Sequence, residues 1–128
     1  MIITIAGSRW FNGNEEFAQF IDSAISFEKK LYPENKSVFV RYGNSPGTDA
    51  FAKKHSAYRN YHHEQFKPNW DEYGSKAPSM RDTAMLNKCD ILIVAWDGKS
   101  YSTKNIMEKA QRKGITLYTY MIPLDKSK

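Results

Sequence analysis

The sequence predicts a Rossmann-like three-layer α/β/α domain with a mainly parallel sheet of about five strands. Strand-like and helix-like patterns alternate along almost the whole chain, and helical crossovers between strands join parallel neighbours. The apolar runs are short, and segments rich in Gly, Pro, Asn and Ser separate them from the helices. A parallel sheet of this kind is covered by helices on both faces.

The predicted strands are β-rich or apolar runs that end at turn-forming residues. The first run ends at Gly7, and the second ends at the loop of residues 43–47. The third precedes the turn of residues 67–69, and the fourth stops at Asp97-Gly98. The five predicted strands cover residues 1–6, 37–41, 61–66, 91–96 and 115–120.

The predicted helices carry apolar residues at helical spacing, such as Phe17, Ile21 and Ala24 in the first of them. Pro78 stands at the beginning of the third helix, where its missing N–H costs little. Gly114 marks the end of the fourth. The four predicted helices cover residues 15–31, 49–58, 78–87 and 102–113.

Size and composition limit the classes of protein that the chain can belong to. Its 128 residues predict one domain at residues 1–124, followed by a basic tail at residues 125–128. The apolar runs are too short to cross a bilayer, and no secretory signal is recognisable. The single cysteine, Cys89, allows no internal disulfide and lies at the edge of an apolar run, so we expect a buried thiol. We therefore expect a cytoplasmic protein with no membrane partner.

The net charge of +5, from 19 basic and 14 acidic residues, favours an anionic partner. Both a nucleic acid and a small phosphorylated ligand are anionic partners of this kind. The basic residues are spread along the chain, without the Arg/Lys-rich helix that binds duplex DNA. A small ligand is therefore the expected partner, and nucleic acid is not.

The topology itself predicts where a ligand binds, because ligands of open α/β sheets lie beyond the carboxyl ends of the strands. Four loops meet there, at residues 7–10, 42–48, 67–73 and 97–102. In the first loop, Gly7 permits a turn, Ser8 offers a hydroxyl and Arg9 offers a forked donor for phosphate or carboxylate. Alternatively, Arg9 is an ordinary surface residue that binds no ligand.

The second loop places Gly43, Asn44 and Gly47 in a segment that can expose several backbone N–H groups to an anion. Asp49 follows in the first turn of the next helix. There its carboxylate either complements the helix dipole or accepts a hydrogen bond from a ligand hydroxyl, and the sequence leaves both roles open.

The third loop and the helix after it supply Trp70, Tyr73 and Arg81. The two aromatic rings can stack on a nucleobase or ribose, or they can pack the loop against the domain. Arg81 can clamp a second phosphate or pair with its neighbour Asp82.

The fourth loop joins a buried strand to a helix through polar residues. The first turn of such a helix has unpaired N–H groups and the positive end of the helix dipole, which favour phosphate. The alternative is an ordinary β–α connection in which Ser100 or Ser102 caps the helix. The candidate ligand-binding residues here are Asp97, Gly98, Ser100, Ser102 and Thr103.

The histidines and two of the tryptophans remain to be assigned. His55, His62 and His63 lack the spacing of a zinc site, and neighbouring strand residues face opposite sides of a sheet. We expect no metal and no cofactor. Trp10 and Trp96 either line the pocket or fill the core.

Taken in order, these segments resemble the SLOG superfamily, in particular its YspA/YpsA-like branch of small Rossmann-like proteins found in bacteria and phages. The resemblance covers nearly the whole chain. It is carried by the segments Gly7-Ser8-Arg9, Tyr42-Gly43-x-x-x-Gly47-x-Asp49, Trp70-x-x-Tyr73-Gly74, Met80-Arg81 and Trp96-Asp97-Gly98-x-Ser100-x-Ser102-Thr103.

The resemblance implies a nucleotide or nucleotide-derived ligand and a homo-oligomer, because relatives with this fold often pair through helices. Related families include the LOG-type phosphoribohydrolases, the recombination mediator DprA and sensors of antiviral nucleotide signalling. LOG-type enzymes use a Gly-Gly-x-Gly-Thr-x-x-Glu loop whose Glu takes part in catalysis. Here Ser102 stands at a usual Gly position and Ile106 replaces the Glu, which puts hydrolysis in doubt.

We therefore expect a binding protein: a sensor, or a phage-type anti-defence sponge that sequesters a signalling nucleotide such as an ADP-ribose derivative. The first alternative is a phosphoribohydrolase that cleaves the N-glycosidic bond of nucleoside monophosphates. It would need Asp49, Asp71, Asp82 or Asp97 as its acid or base. The second alternative is binding of single-stranded nucleic acid through the positive charge.

Overall fold

One parallel sheet forms the centre of the computed structural model, which describes residues 1–34 and 37–124. Its strands are β1 (Ile2–Gly7), β2 (Phe39–Tyr42), β3 (His62–Gln65), β4 (Ile91–Trp96) and β5 (Thr116–Met121). The helices of these residues are α1 (Glu15–Leu31), α2 (Thr48–Tyr58), α3 (Trp70–Tyr73), α4 (Ala77–Leu86) and α5 (Tyr101–Arg112), with a 3₁₀ turn at Gly74–Lys76. The predicted basic tail at residues 125–128 lies outside the described residues.

The strand order is β3-β2-β1-β4-β5, and all four neighbouring pairs are parallel. Strand β1 lies at the centre, with Ile3 opposite Val40 of β2 and Ile5 opposite Ile93 of β4. The chain moves outward from β1 to β3, then crosses back to β4 and continues in the other direction. This order confirms the Rossmann-like class and places the reversal of strand order between β1 and β4.

Helices cover both faces of the sheet, as predicted. On one face, Ile3 and Ile5 pack in a core with Phe17 and Ile21 of α1. On the other face, the buried side chains come from β1, β4, α4 and α5; they include Ala6, Met85, Leu86, Leu92, Val94, Ile106 and Ala110. Burial on both faces accounts for the continuous apolar run of β4. None of the described helices is long and apolar enough to cross a membrane.

The predicted bounds differ from the structure mainly between β3 and α4. The loop predicted there contains the short helix α3, whose N-cap Asn69 accepts a hydrogen bond from the Glu72 N–H. Helix α4 begins at Ala77, one residue before Pro78, and α5 begins at Tyr101. Strand β3 is exposed throughout because it is an edge strand. The Cys89 thiol is buried, as predicted.

Helix α4 is held at its C-terminal end by a side chain from the sheet. Arg41 of β2 donates hydrogen bonds from Nη1 to the carbonyls of Ala84, Met85 and Asn87, at 3.3, 3.1 and 2.6 Å. Ala84 and Met85 lie in the last turn of α4 and Asn87 is its C-cap, and a cation is favoured at this end of the helix dipole. Arg41 therefore positions α4 against the sheet.

Candidate functional site

A cleft opens at the reversal of strand order, between the end of β1, the beginning of α2 and the helices α4 and α5. Its cavity volume is about 70 Å³, within about 490 Å³ of empty space that includes open solvent. Its lining residues are Ala6, Gly7, Arg9, Ser45, Asp49, Pro78, Arg81, Asp82, Met85, Ser102, Thr103 and Ile106.

The cleft brings together part of the predicted ligand-binding set, namely Gly7, Arg9, Asp49, Arg81, Ser102 and Thr103. Four other lining residues were not predicted from the sequence: Ala6, Ser45, Pro78 and Met85. A signal for two of these was present, because Pro78 and Met85 lie on α4 at helical spacing from Arg81 and Asp82 and so share their face.

Gly43 brings the β2–α2 loop close to two charged side chains. A Cβ atom at Gly43 would lie 2.6 Å from Arg81 Nη1 and 2.6 Å from Asp49 Oδ2. Both charged groups therefore pack against the same point of the backbone, and a side chain there would displace them. Gly43 contributes to the site by its small size, although it does not line the cleft itself.

Asp49 is a buried carboxylate at the beginning of α2. Burial raises its pKa, and the hydrogen bond from the Ser45 N–H to Oδ2, at 3.1 Å, and the charge of Arg81 offset only part of that shift. The carboxylate thus has backbone partners from its own loop, Ser45 and Gly43, and lines the cleft. Its place in the first turn of α2 suits the role of complementing the helix dipole, and its place in the cleft leaves the role toward a ligand open.

Arg81 is paired on one side only. Its Nε donates to Asp82 Oδ1 at 2.9 Å, and the two side chains are 13% and 14% exposed. Burial raises the pKa of Asp82, while Arg81 lowers it. The predicted Arg81–Asp82 pair is therefore present. Arg81 Nη1, however, is buried without a hydrogen-bond partner in the part of the chain that the structure describes.

Thr103 provides a second buried donor without a partner. Its side chain lies in the first turn of α5 and is 2% exposed. Its Oγ1 makes no hydrogen bond to any described residue. A buried hydroxyl without a partner is unfavourable, and here it lies beside the N–H groups that the first turn of a helix leaves unpaired. Ser102 is exposed next to it.

The remaining cation of the cleft is Arg9, which is exposed and makes no side-chain hydrogen bond or ion pair with the residues described. The cleft therefore combines two guanidinium groups with two carboxyl groups whose pKa values burial raises. Buried donors of this kind can form charge-assisted hydrogen bonds to an anionic group.

Asp97 and Ser100 hold the β4–α5 loop and do not line the cleft. Asp97 accepts hydrogen bonds from Trp10 Nε1 (2.9 Å), Lys99 N (2.8 Å), Ser100 N (2.7 Å) and Ser100 Oγ (2.8 Å). Burial raises the pKa of Asp97, but these hydrogen bonds together outweigh it and hold the pKa far below its usual value. Ser100 precedes α5 without capping it through its side chain.

Ser8 also connects the loops through hydrogen bonds. It is buried, its Oγ is 3.0 Å from Ser100 Oγ, and its carbonyl accepts a hydrogen bond from Thr48 Oγ1 at 3.0 Å. Trp10 and Trp96, which the sequence placed either in the pocket or in the core, both donate hydrogen bonds to the β4–α5 loop. Trp10 binds Asp97, and Trp96 Nε1 donates to the Ser100 carbonyl at 3.1 Å.

We expect Asp97→Ala to lower the free energy of unfolding by about 1–2 kcal/mol at neutral pH, because several hydrogen bonds to the loop are lost. The folded pKa lies below the unfolded value of about 3.9. The stabilisation is therefore fully present above that pH and disappears as the pH falls through the folded pKa. Urea unfolding at several pH values should show the difference between variant and wild type shrinking below about pH 4.

Asp71→Ala is the control for this experiment. Asp71 is an exposed acid on α3 with no hydrogen bond to the described part of the chain. Its replacement should change stability little and without this pH dependence. An Asp97→Ala variant that behaves like Asp71→Ala would contradict the role given to the Asp97 hydrogen bonds.

Four other predicted residues lie outside the cleft: Asn44, Trp70, Tyr73 and Gly98. Trp70 is 57% exposed, so its ring neither lines the cleft nor packs in the core. Tyr73 borders a separate groove with Phe66 and Met80, which shares Arg81 with the cleft. Gly47 contributes through its backbone conformation, as discussed below.

No group of three or more His, Cys, Asp or Glu residues that could hold a metal ion is present in residues 1–34 and 37–124. Two of the three histidines have other partners among the described residues. His55 Nε2 lies 2.8 Å from Asp22 Oδ1, and His63 Nδ1 lies 2.6 Å from the Tyr42 hydroxyl.

A comparison with protein-family models finds no match for the chain, and a comparison with curated proteins finds none either. The chemistry of the cleft is therefore the basis for the functional proposal.

Proposed function

We propose that the protein binds a nucleotide or nucleotide-derived ligand in the cleft, with a phosphate of the ligand between Arg81, Thr103 and the first turn of α5. Four described side chains have a buried polar atom without a partner, and two of them, Arg81 with Nη1 and Thr103 with Oγ1, line the cleft; this pair of donors carries the proposal. Each donor left unpaired costs about 1–3 kcal/mol. A phosphate oxygen would remove that cost and would accept from the N–H groups of the helix as well.

The other groups of the cleft suit the rest of such a ligand. Arg9 is exposed at the edge of the cleft and free to approach a phosphate. The Asp49 carboxylate is an acceptor suited to a ribose hydroxyl. We therefore propose Arg9 as a second phosphate ligand and Asp49 as the acceptor for the sugar.

The proposal extends to the class of protein. In agreement with the resemblance drawn from the sequence, we propose a SLOG-type binding protein that acts as a sensor or a sponge for a signalling nucleotide. Ile106 supports binding over hydrolysis, because an apolar side chain lines the cleft at the position of the LOG-type Glu.

Hydrolysis of the N-glycosidic bond is the second candidate function, and one observation favours it. Asp49 and Asp82 both line the cleft, and burial raises the pKa of both, as is common for general acids. Asp71 and Asp97 were the other two candidates for the acid or base. Asp71 is exposed on α3, and Asp97 accepts hydrogen bonds from its own loop. Neither lines the cleft.

Calorimetric titration with AMP, ADP-ribose, adenosine and inorganic phosphate tests the proposal. We expect AMP and ADP-ribose to bind and adenosine to bind at least tenfold more weakly. Ligand recovered intact after denaturation of the complex supports a binding protein. Release of free base, abolished by Asp49→Asn, would favour the hydrolase, and no binding of any compound would refute both functions.

Thr103→Val isolates the unpaired hydroxyl, because valine has nearly the same shape. We expect the free protein to become more stable by about 1 kcal/mol, since a buried hydroxyl without a partner is removed. The affinity for AMP should fall about tenfold, since one hydrogen bond to phosphate is lost. Thermal unfolding and calorimetry measure the two effects.

Ser56→Ala is the matched control. Ser56 Oγ is also buried without a partner in the described chain, but Ser56 lies on α2 and does not line the cleft. Its replacement should leave the affinity unchanged. If Thr103→Val also leaves the affinity unchanged, Thr103 does not contact the ligand.

A further inference from the structure

The cleft continues between α4 and α5 into a polar groove. Pro78, Asp82 and Ser102 line both spaces, which are therefore adjacent. Beyond them the groove is bordered by Ser75, Ser79, Asn105, Glu108, Lys109 and Arg112. A ligand held at Thr103 therefore has a polar path along α5.

The far end of the groove is cationic. Lys109 Nζ donates to the Ser79 carbonyl (2.6 Å), Ser79 Oγ (2.7 Å) and Thr83 Oγ1 (3.0 Å), which ties α5 to α4. Burial lowers the pKa of Lys109, the charge of Asp82 raises it, and the charges of Arg112 and Lys113 lower it. Lys109 and Arg112 therefore repel each other, Asp82 offsets part of that repulsion, and an anion beside Arg112 would offset more of it.

Arg112 is free to provide the contact. Its guanidinium makes no hydrogen bond or ion pair with any residue that the structure describes. Side chains of a helix lean toward its N-terminus, so Arg112 leans along the groove toward the other α5 residues that border it, Asn105 and Glu108. The acidic groups that border the groove are Asp82, which is paired with Arg81, and the exposed Glu108.

The rise of the helix sets the spacing. Lys109 and Arg112 lie six and nine residues after Thr103, which corresponds to about 9 and 13 Å along α5. A second phosphate bonded directly to the first cannot span this distance. A phosphate on the opposite side of a nucleoside comes much closer to the long Arg112 side chain.

We propose that the ligand carries two anionic groups separated by a nucleoside, as in a nucleoside 3′,5′-bisphosphate or a dinucleotide, with the second group bound by Arg112. This inference rests on the proposed function, because the first phosphate occupies the cleft. It names the class of nucleotide that the site selects.

Titration with AMP, ADP and adenosine 3′,5′-bisphosphate tests the inference, since ADP and the bisphosphate differ mainly in where the second phosphate lies. We expect the bisphosphate to bind at least tenfold more tightly than AMP and ADP. Arg112→Gln should remove most of that gain and leave the affinity for AMP unchanged. Lys30→Gln is the control, because Lys30 also lies in the last turn of a helix, on the opposite face of the sheet.

Equal affinities for AMP and the bisphosphate would overturn the inference and leave the proposed function intact. An equal gain for ADP would overturn it too, since the site would then respond to charge and not to spacing. The same holds for a gain that survives Arg112→Gln or that Lys30→Gln removes equally well. If none of the three compounds binds, the proposed function fails and the inference fails with it.

Discussion

Gly47→Ala is expected to lower the free energy of unfolding by about 3–5 kcal/mol. Gly47 precedes α2 with φ +77° and ψ −124°, a conformation that essentially only glycine adopts. A Cβ atom there would also overlap the Arg9 carbonyl and lie 2.7 Å from the Ser8 carbonyl oxygen. The overlap is with backbone, so it cannot be relieved by rotating a side chain. Urea unfolding measures the loss.

Gly114→Ala separates the two contributions. Gly114 also has a positive φ, +72°, but no atom lies within 4 Å of the position that its Cβ would take. Its replacement should therefore cost only the backbone strain, about 1 kcal/mol. If Gly47→Ala costs no more than Gly114→Ala, the close approach of the β1–α1 and β2–α2 loops does not contribute to stability.

Arg81→Leu is expected to lower the affinity for AMP about 100-fold, because a charged donor to phosphate is lost. It should also lower the free energy of unfolding by about 3 kcal/mol, since Asp82 would remain buried without its partner. Calorimetry and urea unfolding measure the two losses independently.

The double variant Arg81→Leu/Asp82→Asn distinguishes binding from folding. With the carboxylate neutralised, we expect much of the lost stability to return and the affinity to remain low. Wild-type affinity in the double variant would show that Arg81 does not contact the ligand. A double variant as unstable as Arg81→Leu would mean that the Arg81–Asp82 pair is not the source of the stability loss.

The sheet could be predicted from the sequence because its determinants are local. A strand buried on both faces is a continuous apolar run, as at residues 91–96, and each run ends at turn-forming residues. Parallel pairing and the position of the cleft then follow from topology. Helix α3 was missed because Trp70–Tyr73 is too short to show helical periodicity.

The candidate site could be predicted only in part, because a side chain's partners are set by distant parts of the chain. Asp97 and Thr103 both look suitable for a ligand in the sequence. In the structure, Trp10 and Ser100 donate hydrogen bonds to the Asp97 carboxylate, whereas the Thr103 hydroxyl has no partner among the described residues. The Lys99 and Ser100 donors to Asp97 are local in sequence, but the Trp10 contact could not be predicted, since Trp10 lies 87 residues from Asp97.

Arg41 of strand β2 affects the cleft although it does not line it. Its three hydrogen bonds end at Ala84, Met85 and Asn87, and Ala84 follows Arg81 by less than one turn of the same helix. Arg41 therefore helps to fix the rotation of α4 about its own axis, and with it the direction of the Arg81 guanidinium, together with the hydrogen bond of Thr4 Oγ1 to the Met85 carbonyl at 2.6 Å. We expect loss of Arg41 to disturb the alignment of Arg81 in a cleft whose lining residues are all retained.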